Sequence, residues 1–244
     1  AVMYLGEIVE LGTVEEVTPG LLVYRVPTPV VEVSDFFTGA LRANLFLEQY
    51  GRDLIARQGD FDLIHAHDWL VALAGMALKH AFKLPLLATI HATEYGRHRG
   101  HIGNDLSRSI HNVEWWLTYE AWRIIACSNF MADEIRTAFQ APADKIDVIP
   151  NGVDTRRFDQ YDGVDLSAFR ATYAAPDEPI IFNVGRIVYE KGVHLLVEAM
   201  PRILADFPKA KAIIAGTGGH LDYVRGRASE LGLGDRVVFT GFIS

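Results

Sequence analysis

Short runs that are apolar on both faces alternate along this chain with segments of helical periodicity, and this rhythm restricts the fold more than any other feature. Leu86-Leu87-Ala88-Thr89-Ile90 is the clearest such run. A strand of that kind must be covered on both sides, as in a parallel sheet flanked by helices. The pattern predicts strands at Leu21–Val26, Phe61–His65, Leu86–His91, Arg123–Ser128 and Lys145–Pro150. Between them it predicts helices at Gly39–Gln58, Trp69 to about Phe82, and Asn129–Phe139. Repeated βα units argue for an open, largely parallel α/β sheet.

Pro150-Asn151-Gly152 interrupts the rhythm, and Val153–Pro179 is richer in Asp and short of strands. A domain boundary is expected there, with 1–150 as one unit and 151–244 as the other. The second βα series is read as strand Ile180–Val184, helix Val193–Phe207, strand Ala210–Ala215, helix His220–Leu231 and strand Arg236–Thr240. Three strands with an open edge invite further pairing, so the second domain is expected to continue beyond Ser244. The absence of Met at position 1 suggests a partial sequence.

Composition narrows the class. Half of the 244 residues are apolar, which is enough for a sizeable core, yet no run approaches the roughly 20 residues of a membrane-spanning helix. Ala1–Val9 contains Glu7 and has no basic lead, unlike a signal peptide. A net charge of −8 argues against a nucleic-acid backbone as partner. The single cysteine, Cys127, excludes an internal disulfide and suits a reducing compartment, so a cytoplasmic protein is expected.

Ligands of open parallel sheets sit at the carboxyl ends of the strands, and the polar clusters fall there. His65-Ala66-His67-Asp68-Trp69 follows one strand and His91-Ala92-Thr93-Glu94-Tyr95-Gly96-Arg97 the next. In the second half, Gly185-Arg186 with Lys191-Gly192 follows one strand and Gly216-Thr217-Gly218-Gly219 another. Arg186 and Lys191, five residues apart beside a helix start, suit a diphosphate: two fixed cations join the free N–H groups of a helix N-terminus. A solvated basic pair is the plain alternative. The Gly216 loop lets the backbone approach a phosphate or ribose closely, though glycine runs also make ordinary turns, and no Gly-Lys-Ser/Thr follows as a P-loop requires. Placement at corresponding strand ends of two sheets points to a cleft between domains.

Taken in order, these motifs resemble the retaining glycosyltransferases of family four and their glycogen- and starch-synthase relatives. The resemblance runs from Asp62 to Ile243 through Ile64-His65-Ala66-His67-Asp68-Trp69, Thr89-Ile90-His91 with Glu94 and Gly96-Arg97, and Ile149-Pro150-Asn151-Gly152-Val153-Asp154. It continues through Gly185-Arg186 with Glu190-Lys191-Gly192, Gly216-Thr217-Gly218, and Phe239-Thr240-Gly241-Phe242. It implies a GT-B fold: two Rossmann-like domains with parallel sheets facing a cleft, the first on the acceptor side and lacking its first strand, the second incomplete. Arg186 and Lys191 match the pair that holds the donor diphosphate, Gly216, Thr217 and Gly218 would lie near the nucleotide, and the Ile243 backbone would contact its base. His91 matches the histidine facing the transferred sugar, and Asp68 an aspartate at the acceptor rim.

The implied reaction moves a hexose, in the first place glucose, from UDP-glucose or ADP-glucose to a glycan or other hydroxyl acceptor with retention. The leaving phosphate would accept the acceptor's proton, and the two cations make a metal unnecessary. No cofactor beyond the nucleotide sugar is implied. Two family features are absent from the sequence: the Glu-x7-Glu motif that contacts donor sugar and ribose, and the Gly-rich loop after the first strand. The 244 residues alone are therefore expected to turn over little or no nucleotide sugar. A non-catalytic nucleotide-sugar or glucan-binding relative and a GT-B epimerase are the competing readings.

Two other constellations have plainer explanations. His65 and His67 alternate on a strand and lack a metal-hydrolase spacing, so they are expected to be hydrogen-bonded neighbours and not zinc ligands. Trp115, Trp116, Tyr119 and Trp122 recur at helical spacing; stacking on sugar rings is one reading, and lining a buried helix face is the expected one. Tyr95–Arg108, with three glycines, reads as a mobile loop.

Overall fold

Parallel strand pairing organises both halves of the chain. The computed structural model describes residues 2–4, 13–27, 32–59 and 61–243. They divide into two units, Ala1–Val153 and Asp154–Ser244, the first containing two sheets and the second one.

The first unit opens with three strands, of which the apolar pattern reveals only the third. β1 (Val2–Tyr4) pairs in parallel with β3 (Leu21–Arg25), and β2 (Val14–Thr18) pairs antiparallel with β3. Every residue of β2 is exposed, so no apolar face advertises it. α1 (Phe36–Gln58) follows, capped by Asp35, whose side chain accepts from the Thr38 N–H at 2.8 Å. It ends at Gly59, in the left-handed region at φ 62°.

The main sheet has the order β4-β5-β6-β7, all parallel: Ile64–His67, Leu86–Ile90, Arg123–Ala126 and Ile146–Val148. A single 3₁₀ turn, Trp69–Val71, leads into α2 (Ala72–Phe82). Past β5 come the one-turn α3 (Glu94–Arg97) and α4 (Asp105–Glu120), and α5 (Asn129–Phe139) bridges β6 and β7. Helix starts are set by side-chain caps: Thr93 for α3, Asn104 for α4 and Ser128 for α5 each accept from a backbone N–H. Trp69, Leu86, Ile90, Leu117, Ile124 and Ile135 belong to the core between helices and sheet.

Three expectations need correction. The strand predicted at Phe61–His65 is displaced to Ile64–His67, because the parallel register pairs Ile64 with Leu86 and His67 with Thr89. Trp115, Trp116, Tyr119 and Trp122 do not line a buried face: they are 45–67% exposed. α4 carries a second stripe at the same spacing, Ile110, Val113, Glu114 and Leu117, and this stripe is the buried one. Tyr95–Arg108 is not simply loop. It contains most of α3 and the first turn of α4, joined by backbone turns such as Gly100 N–H to Tyr95 O at 2.8 Å.

In the second unit a 3₁₀ segment (Thr155–Tyr161) and the short α6 (Ser167–Ala171) precede the sheet. β8 (Ile180–Val184), β9 (Lys211–Ala215) and β10 (Val237–Gly241) lie parallel in the order β10-β9-β8. α7 (Val193–Asp206) and α8 (Leu221–Glu230) supply Val197, Met200 and Val224 to a core completed by Ile187, Ala212 and Ile214.

The loops after β8 and β9 are interlocked main chain to main chain. Gly185 N–H donates to Ala215 O, Ile187 N–H to Thr217 O, and His220 N–H to Ile187 O, at 2.8–3.0 Å. Gly216 and Gly218 are required by the closeness of this contact. A Cβ on Gly216 would fall 1.9 Å from Gly185 O, and one on Gly218 2.3 Å from Ile187 O. Because the obstruction is backbone, it cannot rotate away. We expect Gly216→Ala to destabilise the protein by about 1–3 kcal/mol in urea denaturation. Gly226→Ala, within α8 and facing open space, is expected to stabilise it by roughly 0.5–1 kcal/mol.

Candidate functional site

The parallel register brings the polar motifs of the first unit together at the carboxyl ends of β4, β5 and β6. His65 Nε2 lies 2.7 Å from Thr89 Oγ1 on the neighbouring strand. The imidazoles of His65, His67 and His91 form a row, with ring centroids 4.3 Å apart in the first pair and 5.3 Å in the second. His67 Nδ1 and His91 Nε2 share a hydrogen bond of 3.0 Å, and His91 Nδ1 stands 3.4 Å from Cys127 Sγ. Partial desolvation, followed by repulsion from the adjacent imidazoles, holds both His65 and His67 below the ordinary histidine range. The lowered values favour the neutral rings, whose nitrogens can serve one as donor and the other as acceptor. Among the described residues, no group of three His, Cys, Asp or Glu side chains is arranged to hold a metal ion.

Asp68 holds the segment after β5. Its Oδ1 accepts the His91 backbone N–H at 2.7 Å, while its own N–H donates to Thr89 O at 2.9 Å. To do so it adopts φ 57° and ψ −178°, a region almost reserved for glycine. Asp68 and His91 are therefore joined directly.

Beyond His91, the backbone N–H of Glu94 donates to Glu114 at 2.9 and 3.0 Å, and Thr93 Oγ1 donates to Glu134 Oε1. Glu94 Oε1 meets His98 Nε2 at 2.9 Å. Neither Glu114 nor Glu134 stands out in the sequence. Glu114 sits among apolar residues of the buried stripe of α4, and the one available signal is a charge placed where the period calls for an apolar side chain.

In the second unit, Arg186 follows β8 and Lys191 ends the 3₁₀ turn Tyr189–Lys191, which leads into α7 through Gly192 at φ 68°. Both side chains are exposed. Among the described residues, the ion pairs of this unit are made by other cations: Arg156, Lys209, Lys211, Arg227 and Arg236. α7 has no side-chain cap, and in its first turn the Leu195 N–H donates to Gly192 O at 2.9 Å. The interlocked glycine loop carries Thr217, exposed between Gly216 and Gly218. Tyr189, His194, His220 and Tyr223 form a chain of ring contacts, 4.6–5.5 Å between centroids, linking the two loops from the side. Ile243 follows β10 and is 43% exposed.

Two α/β units with parallel sheets, each gathering polar groups at the carboxyl ends of its strands, define the GT-B architectural class. Comparison with known proteins sharpens this. Residues 13–157 match the profile of Glycosyltransferase Family 4, and residues 167–244 match that of Glycosyl transferases group 1. The chain belongs to glycosyltransferase family 4. It is 40% identical over 190 residues to a glycogen synthase of Mycobacterium tuberculosis, covering 78% of this chain and 43% of that protein. It is 38% identical over 190 residues to an uncharacterized glycosyltransferase of Methanocaldococcus jannaschii, covering 75% and 47%. The chain thus spans about half the length of these relatives. Among solved structures, sucrose-phosphate synthase from Thermosynechococcus elongatus superposes with a TM-score of 0.73 at 23% identity, over 95% of this chain and 57% of that one. Anabaena HepE in complex with UDP-glucose superposes at 0.61 and 24% identity, over 79% and 51%.

The Asp68 geometry makes a specific prediction. Asp68→Ala loses the acceptor for His91 and keeps the strained backbone, whereas Asp68→Gly loses the acceptor and relieves the strain. We expect the glycine variant to be the more stable of the two by about 1 kcal/mol or more in urea denaturation.

Proposed function

We propose that this chain is part of a retaining hexosyltransferase that moves glucose from a nucleotide diphosphate sugar, UDP-glucose or ADP-glucose, to a glycan or another hydroxyl acceptor. The observation that carries this reading is the loop after β8. There, two exposed cations, Arg186 and Lys191, precede the start of α7, which has no side-chain cap, and the glycine loop after β9 is hydrogen-bonded to the backbone of Gly185 and Ile187 on either side of Arg186. Such a site combines point charge with the start of a helix, the recognition chemistry of a diphosphate. The likeness to a glycogen synthase and the UDP-glucose complex of HepE favour the same ligand class.

Breaking the bond between sugar and diphosphate leaves negative charge on the phosphate oxygens. Arg186 and Lys191 would stabilise that charge as it develops, the largest electrostatic contribution open to the site. With two cations in place the leaving group needs no metal ion. The phosphate oxygen released would take the proton of the attacking hydroxyl, so no carboxylate base is required for attack on the same face. In this reading Thr217 and its glycines border the nucleotide, the Ile243 backbone meets the base, His91 faces the transferred sugar, and Asp68 holds His91 from the acceptor side.

Calorimetric titration with UDP and with ADP tests the donor assignment. Arg186→Ala and Lys191→Ala should each weaken the better of the two by about 10–100-fold, the range for a charge-assisted contact. Lys209→Ala, whose ammonium is paired with Asp177, should leave it unchanged. Failure of the unmodified chain to bind either nucleotide, or equal binding by Arg186→Ala, would overturn the reading.

A further inference from the structure

Glu114 is a buried carboxyl for which the transfer chemistry has no use. It is 2% exposed on the inner face of α4, where an ionisable group is costly unless something binds it. Its partner is not a side chain but the main chain, with both oxygens within 3.0 Å of the Glu94 N–H. That N–H lies three residues after His91. The segment between them is anchored at its start by Asp68, which accepts the His91 N–H, and at Thr93 by Glu134 on α5. Gly96 allows Glu134 to come this close, since a Cβ there would stand 2.5 Å from its carboxyl oxygens. Of the three carboxyls, Glu114 is the most deeply buried and the one bonded to the backbone just beyond the turn.

We infer that Glu114 is a positioning residue: it fixes the main chain just after His91, and with it the direction in which His91 is presented. The importance of His91 to the reaction rests on the function proposed above; the mechanical claim does not. Burial and the surrounding charges make this arrangement sensitive to pH. From α3, Glu94 and Arg97 act on Glu114, and from the segment after β4, Asp68. The cation Lys79 on α2 is engaged by Glu120, and Glu134 on α5 by Thr93. On α4 itself, His111 is held below its ordinary range by desolvation. Burial first, then the Glu94 and Asp68 carboxylates, push Glu114 up to about 8, against the pull of the Glu94 N–H and Arg97. Ionised Glu114 would repel Glu94 and also Asp68, which holds the His91 N–H.

The sign of the pH effect follows. A carboxyl whose pKa is raised on folding contributes its full stability below the unfolded-state value near 4.5, and that stability is lost as pH rises through about 8. The test is NMR of the unliganded chain between about pH 6 and 9.5, following amide exchange at Glu94 and the ring resonances of His91. The expected result is a step in the His91 resonances with a midpoint near 8, accompanied by falling protection at Glu94. Glu114→Gln retains an acceptor but cannot ionise. It should keep Glu94 protection within about threefold at pH 6 and abolish the step. Glu114→Ala should lower Glu94 protection by about tenfold or more while the β6 amides hold theirs.

Persistence of the step in Glu114→Gln overturns the inference, as does loss of protection in Glu114→Ala that is no greater at Glu94 than in β6. Should Glu114→Ala fail to fold, the Glu114→Gln titration decides alone. A failure of the transferase reading would appear as absent nucleotide binding, on which these spectra do not depend.

Discussion

Parallel strand register is the constraint from which both candidate sites follow. Strands that run the same way present their carboxyl ends together, so residues far apart in sequence leave the sheet side by side. Pairing His67 with Thr89 places His91, the first residue past β5, beside the ring of His67. Pairing Thr89 with Ile125 carries Cys127 to the other side of the same imidazole. In the second unit, pairing Val184 with Ala215 makes the turns after β8 and β9 leave in step. The backbone bonds between Ile187, Thr217 and His220 then make two loops into one object. A single-residue slip in either register would separate these groups, and the reversal of side-chain faces within each strand forbids it.

Much of this was legible in the sequence, for reasons that can be located. Two-sided apolar runs such as Leu86–Ile90 have few alternatives to a covered parallel strand, and the predicted α5 and β8 match the structure at both ends. Strand ends then located the polar clusters without knowledge of contacts. What stayed hidden was structure with no apolar signature. β2 has no buried residue, and β4 could be placed only once its partner was known, because histidines at alternate positions disguise its second half. α4 shows the limit of periodicity most clearly. Two stripes share its spacing, and the one richer in aromatic area is outside. Period alone reports that a helix has faces, not which of them meets the sheet.

The same limitation concealed Glu114 and the purpose of the glycines. A glutamate on the inner stripe of a helix looks like an interruption until the Glu94 N–H that it receives is seen. Gly216 and Gly218 read equally well as a turn or a phosphate cradle. The structure supplies a third reason for them, since the carbonyls of Gly185 and Ile187 occupy the space a side chain would need. The requirement for glycine is thus met by packing before any ligand arrives.

The two sites solve the problem of holding a polar group in opposite ways. Around Arg186 and Lys191 precision comes from main-chain interlock, with charges left exposed at its surface. Around His91 it comes from carboxyls: Asp68 in a strained conformation, Glu134 against a glycine, and Glu114 buried. Three carboxyls in so small a volume are tolerable only if their negative charge is restrained by hydrogen-bond donors or by protonation. Donors are supplied by the His91 and Glu94 N–H groups and by the Thr93 hydroxyl, all within four residues of chain. The segment carrying His91 therefore does double duty. It presents an imidazole on one side, and on the other it provides the donors that allow the carboxyls to stay where they are.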